Sequence, residues 1–193
     1  MYILSSMPTV FDAKTAQKHK ALHSFCYRPK VRFEEQQVGE DVILVLRAHP
    51  VTQISWVVTA VLLLFVPLFV NLFTAPLLQI SESLFVNFFW YASIFSYVLL
   101  NIIDWTFNVG IITNRRVIDI NYNIIISREV AATTMQEIVD VTGSSSGFLP
   151  SIFNYGDVNI QTPGTNQNIE FLQTPRPSEV VAIVNQLMED RII

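Results

Sequence analysis

No Asp, Glu, Lys or Arg occurs from Ala48 to Ser81, and none from Ser83 to Ile103. Within the first stretch, Ile54–Phe73 reads ISWVVTAVLLLFVPLFVNLF. A helix of that length extends about 30 Å, the thickness of a bilayer's hydrocarbon layer. Soluble helices buried in a core usually keep one polar stripe, and this run has none. Within the second stretch, Phe85–Ile103 is aromatic-rich and also long enough to span. The sequence therefore predicts a membrane protein with a transmembrane helical hairpin over 54–104, its helices at 54–73 and 85–103. Pro67 is compatible with the first helix, because a lipid-embedded helix can kink and re-satisfy the freed carbonyl locally.

The connection from Thr74 to Leu84 holds one charge, Glu82, and no Lys or Arg. Lys14, Lys18, Lys20, Arg28, Lys30, Arg32 and Arg47 precede the first helix, and Arg115 and Arg116 follow the second. The positive-inside rule then puts both termini in the cytoplasm and the hairpin loop outside, a multi-pass arrangement in the cell (inner or plasma) membrane. Trp56 and Trp105 fall at the ends of the runs on the side of the termini, where Trp anchors at headgroup level. The opening residues, MYILSSM, lack the basic run and long apolar core of a cleaved signal peptide, so the first helix is expected to act as the targeting signal.

Outside the apolar runs the pattern changes. Residues 1–38 form a polar N-terminal segment, in which Asp12–Phe25 reads either as a short Asp-capped helix with a Lys-rich face or as a frayed polar tail. Residues 39–53 alternate Val42, Leu44, Leu46 against Ile43, Val45, Arg47, as a strand leading to the membrane would. From residue 105 to 193 period-two stretches dominate. Phe107, Val109 and Ile111 share one face; Ile118, Ile120 and Tyr122 lie opposite Val117, Asp119 and Asn121. Thr113–Arg115 reads as the turn between these strands, and Asn121 with Asn123 as a second turn. MQEIVDVTG runs into a Gly/Ser loop at 143–147; DVNIQT and NIEFLQT flank PGTNQ as a hairpin. In SEVVAIVNQLMEDRI, Val180, Ile183, Val184 and Leu187 share one helical face suited to closing an open sheet or partial barrel.

The order of these pieces is informative. A GE segment with Gly39 and Glu40 leads through Arg47, His49 and Pro50 into the helices. Then come Thr113-Asn114-Arg115-Arg116-Val117, Ile138 with Asp140-Val141, Tyr155-Gly156-Asp157-Val158, and Pro177 before the last helix. This resembles the bacterial pleckstrin-homology-like (PH-like) membrane proteins, a family largely of unknown function, from Gly39 onward. The resemblance implies a bent antiparallel β-sheet or partial barrel capped by a C-terminal α-helix, and it implies no reaction and no catalytic residues. The Ser/Gly-rich loop at Thr142–Gly147 departs from the basic or apolar loop that family members often carry there.

Chemistry-bearing patterns point away from catalysis. His19, His23 and His49 all precede the first helix, far in sequence from the Ser-rich loop, and neither G-x-S-x-G nor HExxH occurs. GSSSG lacks the Lys of a phosphate loop. His19, His23 and Cys26 have spacings that a zinc ion tolerates, against a bland reading as coincidence in a short polar segment. No enzyme, cofactor or metal is expected. The net charge of −4 and the acidic balance of the C-terminal part argue against nucleic acid. Asn71, Asn87, Ser93, Ser96 and Asn101 read as interhelical glue.

The expected function is a membrane-anchored PH-like binding or scaffold module at the cytoplasmic face. Its partners would be the bilayer itself and a protein, or a second copy of the chain. Two other readings stay open: an anionic lipid-headgroup sensor, and an accessory subunit of a larger membrane complex. Arg115, Arg116 and Arg128 are the candidate contacts with lipid or partner, Arg115 and Arg116 also having a purely topological reading as charges fixing orientation.

Overall fold

The computed structural model describes residues 23–29, 33, 36–74, 76–123, 127–163 and 168–189. The elements run β1 (Phe25–Tyr27), β2 (Val42–Leu46), α1 (Ile54–Thr74), α2 (Ile80–Phe107), β3 (Val109–Thr113), β4 (Arg116–Asn123) and β5 (Ser127–Thr134). They continue as β6 (Asp140–Ser144), α3 (Phe148–Phe153), β7 (Tyr155–Gln161), β8 (Ile169–Pro175) and α4 (Pro177–Glu189). A short 3-10 turn, Pro50–Gln53, leads into α1.

Five strands form one antiparallel sheet in the order β1-β2-β3-β4-β5, and three form another in the order β6-β7-β8. The strands on either side of the two long helices are immediate neighbours: Leu46 of β2 lies opposite Gly110 of β3, and Val45 opposite Ile111. The helical pair is thus inserted between adjacent strands of one sheet. A domain boundary at residue 105 would cut that sheet, since β1 and β2 come before the helices. Phe25 is in β1, not in a helix that begins at Asp12; residues 12–22 of that expected helix lie outside the described residues.

The core lies between the two sheets, with α4 closing it. Leu44, Leu46, Ile112 and Val117 from the first sheet, and Val158, Ile160 and Phe171 from the second, pack with Val180, Ile183, Val184 and Leu187 of α4. These four α4 residues are the face expected from their spacing. The outer face of the first sheet is also apolar, with Cys26, Val45, Ile111 and Ile118 in register across four strands and buried. Pairing puts Asp119 beside Gly110 and Leu46, on the inner face, at the sheet end that joins the helices. Gly110 is required there: a Cβ would lie 2.5 Å from the Phe171 ring.

The helices are longer than the apolar runs alone indicate. α1 has 21 residues and α2 has 28, against expected spans of 54–73 and 85–103. α2 starts at Ile80 because the Glu82 carboxylate accepts from the Gln79 backbone N–H at 3.0 Å, satisfying a donor of the first turn. The connection is therefore shorter than Thr74–Leu84. At its other end α2 continues to Phe107, and the Trp105 indole donates to the Ala48 carbonyl at 2.9 Å, tying it to the chain ahead of α1. Both helices are long and apolar enough to cross a membrane.

Two local expectations are corrected, and one helix appears where none was expected. Asn121 is inside β4 rather than at a turn, its amide held by Asp119 at 2.8 Å; residues 124–126 lie outside the described residues. Gly156, which the sequence places at a tight turn before a strand, is instead inside β7, where a Cβ would meet the Ser144 carbonyl oxygen at 2.2 Å. Phe148–Phe153 is a helix that no periodicity announces, because it is six residues long and contains Pro150.

Candidate functional site

Two loci collect the distinctive residues. The first is at the sheet end away from the helices. Glu40, its side chain fully buried, accepts from Arg116 Nε at 2.9 Å and from the Thr113 hydroxyl at 2.9 Å. Gln37 gives its backbone N–H to the same carboxylate at 2.9 Å. Asn114 bridges the same two segments: its Oδ1 accepts from Asp41 N at 3.0 Å and its Nδ2 donates to the Gly39 carbonyl at 3.1 Å. Gly39 takes φ +76°, a conformation side chains disfavour. Burial pushes the Glu40 carboxyl up, but the hydrogen bonds from Arg116, Gln37 and Thr113 and the Arg116 charge outweigh it, leaving it below the ordinary carboxylate range. Two sequence pieces that the helices separate are thus one buried polar clamp.

The second locus is where the helices meet the sheets. A cavity of about 300 Å³ is lined by Arg47, Asp104, Asp119, Asn121, Glu170 and Phe171, among others. Asp119 is 9% exposed, and burial pushes its carboxyl up to about 6 despite the hydrogen bond from Asn121. Burial lowers Arg47 from its ordinary value. Next to the cavity, His49 stacks on Tyr155 with centroids 5.6 Å apart and gives its backbone N–H to the Gln173 carbonyl at 2.8 Å. Burial holds the His49 imidazole below its usual value. Asp157 accepts from Gln173 N at 2.7 Å where the β7–β8 register shifts, and Gln173 has φ +53°. This arrangement offers a polar recess with a carboxyl that changes charge near neutrality. No period or motif marks Asp119: its one local signal is a carboxylate set among β-branched residues of a strand.

The candidate residues part company. Arg115 and Arg116 sit at the β3–β4 turn, about 14 Å along β3 from the helix junction. Arg116 is ion-paired with Glu40, and Arg115 donates to the Gln37 side chain at 3.3 Å. The backbone of Arg128, in β5, is opposite Tyr122, whose ring is 5.5 Å from that of Phe107 at the end of α2. Arg128 is therefore at the helix end of the sheet, and the arginine pair at the other end. Of the zinc candidates, His19 lies outside the described residues and Cys26 is fully buried in β1.

Within the helices, Asn71 and Asn87 exchange side-chain hydrogen bonds at 3.3 Å, and Ser83 donates to Asn71 at 3.3 Å. Ser93, Ser96 and Asn101 instead bond carbonyls one turn back on their own helix, at Phe89, Ala92 and Tyr97.

No curated protein and no solved structure matches the chain significantly. The family model described as bacterial PH domain matches residues 43–188. That span takes in β2 apart from Val42, both long helices, β3 to β8 and nearly all of α4, while β1 lies ahead of it. PH domains are generally non-catalytic binding modules. With the sheets, the closing helix and the family match in agreement, the chain belongs to the bacterial PH domain family.

Proposed function

We propose that the chain is a binding module fixed to the cytoplasmic face of the cell membrane, which its two long helices cross. One observation carries this reading: the helices leave the sheet between neighbouring strands and expose their large side chains. Leu62 is 64% exposed, Leu68 66%, Phe88 68% and Phe95 68%. Within the protein little covers them, and lipid is the environment that would. Two connections at one sheet end then hold the domain close to the bilayer. The basic residues ahead of α1 and after α2 support cytoplasmic termini.

The partner on this reading is a protein or a second copy, docking by strand addition. β5 is eight residues long and ends the five-strand sheet, with β4 as its neighbour among the described residues. Such an edge presents a row of backbone donors and acceptors to a further strand. The sensor reading is weaker for Arg115 and Arg116, given their distance from the helix junction, and rests on Arg128.

The test is photo-crosslinking in native membranes, with a photoreactive residue at exposed Ala132 of β5 and, separately, at Arg115. A discrete protein adduct from Ala132 supports the module. Lipid adducts from both sites, with no protein adduct, would replace it by the headgroup sensor. Extraction of the whole chain from membranes by alkaline carbonate would defeat the anchoring.

A further inference from the structure

We infer that α3 is a third membrane contact, a short helix whose apolar face enters the interfacial layer of the bilayer that α1 and α2 cross. The inference rests on the anchored reading above. Phe148 is 79% exposed, Leu149 53%, Ile152 57% and Phe153 43%, and no residue of α3 is buried. Their spacing puts all four on one side of the helix. Ser151 lies on the other side, its hydroxyl given to the Gly147 carbonyl at 2.7 Å. An apolar face of this kind is costly in water and favourable at a lipid boundary.

Charge points the same way. No Asp, Glu, Lys or Arg occurs from Val141 to Gly156, a stretch bounded by Asp140 and Asp157. Outside the two long helices and their flanks, no other charge-free stretch of the chain is as long. Entering the headgroup boundary therefore requires no charge of this stretch to be desolvated.

Position decides between lipid and an unspecified protein. α3 ends at Phe153 with Asn154 as its cap, and the residue after the cap, Tyr155, stacks on His49. His49 caps the 3-10 turn that runs directly into α1 and is bonded to Gln173 of β8. The C-terminal end of α3 is therefore within two residues' reach of the point where the chain turns into its first long helix. Trp105, bonded to Ala48, marks the same level from α2. The end of α3 is thus on the side of the domain from which the long helices leave.

The experiment uses the full chain in vesicles of phosphatidylcholine and phosphatidylglycerol. An environment-sensitive fluorophore is attached at Phe148→Cys, Ser151→Cys, Leu62→Cys or Gln136→Cys in separate preparations. Cys26 is fully buried and stays in place. Nitroxide-labelled lipids serve as quenchers. The expected result is a blue-shifted probe at 148 quenched severalfold by shallow nitroxides, a weaker effect at 151, deep quenching at 62 and none at 136. Quenching at 62 with position 148 as bright as 136 overturns the inference and leaves the anchor standing. Absence of quenching at 62 as well removes the anchor itself. A blue shift at 148 without lipid quenching means protein covers the face, which also overturns the inference.

Discussion

The carboxylate of Glu40 holds the guanidinium of Arg116 at 2.9 Å across a gap of 76 residues in sequence. The bond joins the strand ahead of the helices to the turn beyond them, and Thr113 and Asn114 complete the join. Glu40→Gln leaves the Arg116 charge without its counter-ion and should lower stability by about 3 kcal/mol. Adding Arg116→Met should recover part of the loss, because the two changes act on one interaction. Because the folded carboxyl is held below its ordinary value, its contribution is present above that value and is lost as pH falls through the folded one. Denaturation of the detergent-solubilised chain and both variants across acidic pH measures each effect. Equal stability of Glu40→Gln and the parent would remove the clamp from the account.

Asp119 predicts the opposite slope. Its folded value of about 6 is above the ordinary 3.8, so the folded state binds the proton more tightly. Its contribution is fully present below the ordinary value and is lost as pH rises through about 6. The swing is up to ~3 kcal/mol by the linkage relation. Asp119→Asn should be more stable than the parent at pH above that range, with the difference closing in acid. A difference between parent and variant that does not change with pH would show that Asp119 titrates normally.

Gly156 tests backbone crowding. With the Ser144 carbonyl oxygen 2.2 Å from any added Cβ, Gly156→Ala must push β6 away from β7, at a cost of about 1–3 kcal/mol. Gly156→Val should cost more. Thermal unfolding of the full chain reads both, and an Ala variant as stable as the parent would mean that β6 yields freely.

Between the helices, Asn71→Leu removes the shared hydrogen bonds with Asn87 and Ser83 and should weaken the pair by ~0.6–2 kcal/mol. Ser96→Ala should have little effect, since that hydroxyl bonds its own helix at Ala92. Separation of the helices under steric trapping in bicelles compares the two. Equal losses would refute the assignment.

Replacing residues 48–107 by a short turn should leave a folded domain, because Leu46 and Gly110 already face each other in neighbouring strands. A fragment beginning at residue 105 should not fold, as it lacks β1 and β2 from the five-strand sheet. Amide exchange protection in the two shortened chains decides the point; a protected 105–193 fragment would contradict it.

Much of the architecture was legible because it is periodic. The charge-free runs located α1 and α2, alternation located β3, β4, β7 and β8, and Val180, Ile183, Val184 and Leu187 marked the buried face of α4. What escaped is short or long-range. β1 has three residues, too few to show a period, and α3 has six with Pro150 among them. Asp119 and Asn121 share a face of β4 with Val117, and nothing local says which face is inner, since the sheet is apolar on both and pairing alone decides it. Glu40 and Arg116 were both visible as motif residues, but nothing local says that they meet.

The insertion of the helices between β2 and β3 also sets an order of events. As the chain is synthesised, β1 and β2 emerge first, with no partner for the β3 side of β2 until about sixty residues later in the chain, after both long helices. On the anchored reading, the sheet can close only once the ribosome has delivered the hairpin to the bilayer and the returning chain has come back beside β2. On the same reading, a full-length chain that fails to insert keeps two apolar strands exposed, so its domain closes on copies already lodged in the membrane.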